Sequence, residues 1–235
     1  MSSRKNTEFT SALTKREAAA VLLYFPVHIL ILPQLLGYMI AKGIMAEAPA
    51  NLLMYAVGAG YMLIAGWRFL RRDFDPLMDN FMYCVLQVCI CYGLMIVMNM
   101  AVNGVLINLD FIENPNNEAI IGAAAEDYGK MAALAVFLAP LVEEMLFRAG
   151  IFGLIRRKNR TAAYVVSILA FSVYHVWPYT IGQPMNWIYI VQYIPASFML
   201  CRCYEKCSSI WGSIFMHMAV NGISLHAMRL LQELM

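Results

Sequence analysis

Seven stretches of this chain are apolar for long enough to cross a bilayer: about residues 18–41, 50–70, 79–107, 129–155, 161–178, 186–204 and 208–229. The segments between them are short and polar, none longer than about twenty residues, which leaves no room for a separate soluble domain. The pattern predicts an all-α fold, a polytopic integral membrane helical bundle with about seven transmembrane helices, or eight if the third run is split or the 109–128 connection re-enters the membrane. Residues 1–17 read as a polar, basic tail and residues 18–235 as one integral-membrane domain. The first run is too long for the core of a signal peptide. Pro49, directly after Ala46-Glu47-Ala48, opposes cleavage there, so the run is read as a retained helix.

Composition agrees: 61% of residues are hydrophobic and 14% charged, against about 25% charged in soluble domains. The net charge of +2 points to no nucleic-acid partner. The position of the basic residues carries more information. With the N-terminus placed inside, 13 Lys and Arg fall at cytoplasmic ends of the runs and only Lys42, Lys130 and Arg229 at the opposite ends. This split predicts a cell-membrane protein with its N-terminus in the cytoplasm and its C-terminus outside. The 109–128 connection, acidic and without Lys or Arg, then becomes an external loop. Six cysteines lie in or beside apolar runs without metal-ligand or disulfide spacing and read as small buried hydrophobes.

Against this background, Pro140-Leu141-Val142-Glu143-Glu144-Met145-Leu146-Phe147-Arg148 is an anomaly, because ionisable groups facing hydrocarbon cost several kcal/mol. On an ideal helix Glu144 and Arg148 share a face, while Glu143 points about 100° away and is left free. Pro140 frees a backbone carbonyl and favours a kink. Counting rise per residue from the basic loops places Glu143 roughly 20 Å up, His175 roughly 22 Å, His217 roughly 16 Å and Asn221 roughly 22 Å. These polar groups thus arrive in one band of depth. An unpaired carboxylate needs a donor, and a histidine at matching depth supplies one. Glu143 and His175 can polarise a water, and His217 with Asn221 can donate to the oxyanion formed when that water attacks a carbonyl. His28, between two prolines, reads as a satisfied interior residue. His226, turned about 180° from His217, reads as interfacial. Gly58, Gly60 and Gly66 allow close helix contact.

These residues resemble the CPBP family of intramembrane endopeptidases, the CAAX prenyl proteases and bacteriocin-processing Abi proteins. Its EExxxR motif is similar to Glu143-Glu144-Met145-Leu146-Phe147-Arg148, its FxxxH to Phe171-Ser172-Val173-Tyr174-His175, and its HxxxN to His217-Met218-Ala219-Val220-Asn221. The resemblance covers about residues 129–225 and puts the catalytic core at about 129–229. It implies Glu143 as the base that activates water, with His175 helping to hold it and His217 with Asn221 lining an oxyanion hole. Glu144 and Arg148 would brace the helix, supported by Phe171. Many relatives resemble an eight-helix bundle, and those that process prenylated proteins act on cytosolic substrates.

The expected function is hydrolysis of a peptide bond in a membrane-associated or lipidated peptide or protein, by glutamate-activated water and without a cofactor. Membrane lipid is the surrounding partner, and the pattern sets no oligomeric state. One alternative is a zinc-dependent protease of the same family with Glu143, His175 and His217 as ligands. Neither HExxH nor another compact ligand pair is present, and Asn is a poor zinc ligand. The other is a non-enzymatic transporter or immunity protein with a buried proton or cation site.

Overall fold

The structure is a computed structural model that describes residues 9–234, apart from the side chains of 231–233. Arg4 and Lys5, counted above in the basic tail, lie outside the described residues. All seven apolar runs are helical, and no strand occurs among the described residues. The first, α1, spans Lys15–Ala41. It opens on a capping box in which Thr14 N–H donates to Glu17 Oε2 (2.7 Å) while Glu17 N–H donates to Thr14 Oγ1 (3.4 Å). Next come α2 (Glu47–Arg72), the short α3 (Phe74–Asp79) and α4 (Phe81–Asn108). The acidic connection contains a further helix, α5 (Pro115–Glu126), started by Asn114 as cap and Pro115 at its first position. At 12 residues it is about 18 Å long, too short to cross. The run 128–156 forms α6, followed by α7 (Arg160–Val176), α8 (Ile190–Cys207) and α9 (Ile210–Leu234). The sixth apolar run thus becomes α-helical at Ile190, after a 3-10 helix over Pro184–Tyr189.

Among the described residues, four helices are long and apolar enough to cross a membrane by length and composition: Lys15–Ala41, Glu47–Arg72, Phe81–Asn108 and Arg160–Tyr179. Their most apolar windows are only 22 to 33% buried, and Leu23, Ile64, Val97 and Met100 stand well exposed. Apolar faces of this extent need a lipid surround. By contrast α6 is the hub. Met145, Leu146, Phe147, Ala149 and Phe152 are all fully buried, with α1, α2, α7, α8 and α9 packed around them.

Glycine sets two of these approaches. A Cβ on Gly58 would sit 3.0 Å from Val142, and one on Gly66 would sit 2.5 Å from the Met145 methyl. Gly60, expected to share this role, has open space instead, because it faces away from the pair eight residues apart. We expect Gly66→Val to cost about 1–3 kcal/mol by overpacking α6, seen as a lower melting temperature in detergent; Gly60→Val should leave that temperature unmoved.

In α6 the backbone departs from α-geometry twice, over Ala133–Leu138 and Glu144–Phe152, where N–H groups bond the fifth residue back. A similar turn over Val27–Ile31 follows Pro26 in α1. Such wide turns accommodate a proline's missing donor and recur at functional sites. At one end of the bundle the chain start closes the interior. Leu13 is fully buried, Ser11 Oγ donates to Tyr204 Oη (2.9 Å), and the Phe9 ring packs edge-on against Phe152 and Tyr204. Arg156 and Arg160 lie at this same end, both paired with Glu205.

Candidate active site

Glu143 closes the short α-helical stretch Ala139–Glu143 and Glu144 opens the wide turn after it. Both are buried, as is Arg148. The Glu144–Arg148 pair expected from helical spacing is present, with Nη1 to Oε1 at 3.2 Å. Arg148 also donates to Ser197 Oγ (3.2 Å) and stacks its guanidinium over the Phe171 ring, 4.1 Å from the centroid. Phe171 thus packs against Arg148 and close to both histidines, its ring 4.3 Å from that of His175 and 5.9 Å from that of His217.

Glu143 is not left free, in contrast to the helical-wheel expectation. Tyr55 of α2 donates to Glu143 Oε1 at 3.1 Å. Oε2 lies 3.6 Å from His175 Nε2 and 3.8 Å from His217 Nε2 and has no hydrogen-bond partner among the described residues. The two imidazoles are oriented from behind. His175 Nδ1 is 2.9 Å from the Phe171 carbonyl oxygen, and His217 Nδ1 is 2.9 Å from Glu144 Oε1. A carbonyl and a carboxylate only accept, so each Nδ1 carries the proton, and in the neutral rings both Nε2 lone pairs turn toward Glu143 Oε2. Tyr193 stacks on the other face of His175, 4.8 Å between centroids.

Asn221 stands differently. Its Nδ2 donates to the Ala135 carbonyl at 2.8 Å. In the wide turn that carbonyl's partner would be the N–H five residues on, at Pro140, which has none. Asn221 therefore satisfies the acceptor that Pro140 orphans, and it retains one further amide hydrogen.

A second chain of partners reaches Glu143 from behind. Tyr55 Oη is 2.8 Å from Tyr174 Oη, which is 3.1 Å from His28 Nε2. Since Glu143 can only accept when ionised, the protons order in one direction: His28 N–H to Tyr174, Tyr174 to Tyr55, Tyr55 to Glu143. His28 is fully buried, as the sequence led us to expect, but it is tied into the site's network. His226 is exposed. Five cysteines are buried and Cys89 is exposed, all as free thiols. Tyr55, Tyr174 and Tyr193 carried no sequence signal, because a phenol in an apolar helix is ordinary until its partner is known.

Tyr55→Phe keeps the ring and removes the donor to Glu143. A hydrogen bond to a charged group contributes about 1.5–3 kcal/mol, so we expect kcat/KM for cleavage to fall roughly 10- to 100-fold. An unchanged kcat/KM in a folded variant would remove Tyr55 from the site.

Residues 128–223, which carry Glu143, His175, His217 and Asn221, match the family model described as Type II CAAX prenyl endopeptidase Rce1-like. UPF0177 protein YxdF of Lactococcus lactis subsp. lactis (strain IL1403) is 32% identical over 94 residues, 40% of this chain and 48% of that protein. The chain spans about half the length of this curated relative. No solved structure matches. The segment that builds the buried carboxylate and its two imidazoles is thus similar to the Rce1-like type II CAAX prenyl endopeptidases, within a helical membrane protein.

Proposed function

We propose that this protein is an intramembrane endopeptidase in which Glu143 activates a water to attack a peptide carbonyl. The observation that carries this reading is the placement of Glu143 Oε2 between His175 Nε2 and His217 Nε2, at 3.6 and 3.8 Å. These gaps exceed a direct hydrogen bond and suit one small polar molecule shared among the three groups. Glu143 takes a proton from that water as the oxygen attacks the carbonyl carbon. The remaining amide hydrogen of Asn221, and His217 when Nε2 is also protonated, stabilise the oxyanion. The proton on Glu143 then passes to the leaving amine. Tyr55 holds Oε1 so that Oε2 stays aimed at the water. Glu144 keeps His217 in place and is itself neutralised by Arg148. In this reading the seven apolar helices cross a cell membrane with the basic end in the cytoplasm.

The match to a model described as an endopeptidase supports peptide-bond hydrolysis over transport. The test uses protein reconstituted in vesicles and supplied with membrane and secreted polypeptides from cells lacking it. New peptide ends, detected by terminal labelling and mass spectrometry, are the expected result. Proton movement across the vesicles without new ends would instead establish a transporter.

The convergence of the Nε2 lone pairs also favours a second reading, a zinc-dependent protease with Glu143, His175 and His217 as ligands. Among the described residues no group of three His, Cys, Asp or Glu side chains is placed as a ligand set, so no step is routed through a metal. Elemental analysis of the active protein and a chelator challenge separate the two readings: cleavage that survives both metal depletion and chelation excludes zinc.

A further inference from the structure

The cavity that contains Glu143, His175 and His217 has a volume of about 940 Å³ and runs toward one end of the bundle only. Its far rim carries Glu47, Glu126 and Lys130, together with Pro178 and Ile181 of the turn after α7. All of these lie in helix ends or turns at the end opposite the basic one. None of Arg68, Arg71, Arg72, Arg156, Arg157, Lys158, Arg160, Arg202 and Lys206 lines it. Toward the basic end the path is stopped by side chains with no exposed surface, namely Glu144 with Arg148, then Phe147 and Phe152, then Tyr204 and Leu13. The cavity therefore leads from Glu143 to the end opposite the basic cluster, and the way toward that cluster is closed.

The walls of this cavity indicate what it holds. Along α1, Ile29, Pro33, Leu36 and Ile40 form an apolar stripe at helical spacing. Facing it, α4, α5 and α8 contribute neutral amides. Gln192 donates to Asn103 Oδ1 (3.2 Å) and accepts from Asn114. Asn99 and Asn117 line the same space, and their side chains make no hydrogen bond among the described residues. The cation at the rim, Lys130, is already paired with Asp127 at 2.6 Å. An anionic ligand would meet Glu143 and no free positive charge. A wall of amides opposite a wall of hydrocarbon matches an extended polypeptide, whose peptide groups donate and accept in alternation and whose side chains project to alternate faces.

We propose that the site takes an extended, uncharged polypeptide segment from the outer side of the membrane, with the peptide backbone held by Asn99, Asn117 and Gln192 on its way to Glu143. This rests on the endopeptidase reading above and on the inward orientation of the basic end. Its substrates are then exported or surface-displayed chains, and a lipidated tail in the cytosol has no route to Glu143.

Two measurements test it. In the first, Asn117→Cys in the full chain is treated with a positively charged, membrane-impermeant methanethiosulfonate, with the native chain as control for Cys89. Labelling from outside intact cells and none in inverted vesicles is expected. Labelling from the cytoplasmic side, from both sides or from neither overturns the proposal, whether or not the protein is a protease. The second compares peptides in membranes and medium of cells carrying the native chain or Glu143→Gln. The expected difference is accumulation of a precursor whose cut bond lies on the outer side. For that precursor Asn99→Leu and Asn117→Leu should raise KM roughly tenfold, more than they lower kcat; an unmoved KM overturns the role of the amides. A precursor cut in the cytosol overturns the access route and leaves the endopeptidase standing. With no accumulating precursor, the endopeptidase reading itself fails.

Discussion

Glu143→Gln is expected to abolish peptide cleavage while the protein inserts and folds as before. The amide is isosteric and can still accept from Tyr55, so the 3.1 Å contact to Oε1 has a counterpart in the variant. It cannot take a proton from water. General-base catalysis contributes about 10²- to 10⁴-fold, and a site whose nucleophile depends on that base should lose at least this much. Single-turnover cleavage by protein with an unchanged melting temperature is the informative measurement. Full activity in the variant would end the glutamate mechanism, in its metal-free and zinc-dependent forms alike.

The second large effect concerns stability. Glu144 and Arg148 are both without exposed surface, so removing either strands a charge in the core, at a cost of about 3–5 kcal/mol. Arg148→Met should therefore lower yield and melting temperature sharply, and Glu144→Leu should do the same. Combined, the two substitutions remove both charges, and much of the lost stability should return. Activity should not return with it, because His217 Nδ1 would have lost its 2.9 Å contact to Glu144 Oε1 and with it the orientation of Nε2. Single variants as stable as the parent would show that the pair does not brace α6.

The helices were legible because long apolar runs have few alternatives in a bilayer. The site was legible because carboxylates, histidines and an asparagine at one depth are too costly to be incidental. The partners were less so. Helical spacing gave the Glu144–Arg148 pair correctly, yet it could not show that His217 reaches Glu144 as well as Glu143, since that depends on how α9 is rotated. Asn221 illustrates the limit of a motif: its depth suggested an oxyanion donor, whereas one of its hydrogens is already committed to the Ala135 carbonyl. The cause is Pro140 together with the wide turn before it, and no hydropathy pattern distinguishes a five-residue backbone step from a four-residue one. Gly58 and Gly66 were recognisable as contact positions, but only the packed bundle separates them from Gly60.

The burial of the middle of α6, from Val142 to Gly153, also bears on how the protein is made. A helix with Glu143, Glu144 and Arg148 near its centre meets an insertion penalty of about 2.5–3.5 kcal/mol for each charge presented to lipid. The long helices that precede it, α1, α2 and α4, are apolar enough to leave the translocon one at a time. If α6 crosses the bilayer as proposed, it is expected to be released in company, with its ion pair formed and its glycine-lined neighbour α2 already in the bilayer to receive it. The order of helices along the chain supplies that company, since two of the spans that shield α6, α1 and α2, are synthesised before it.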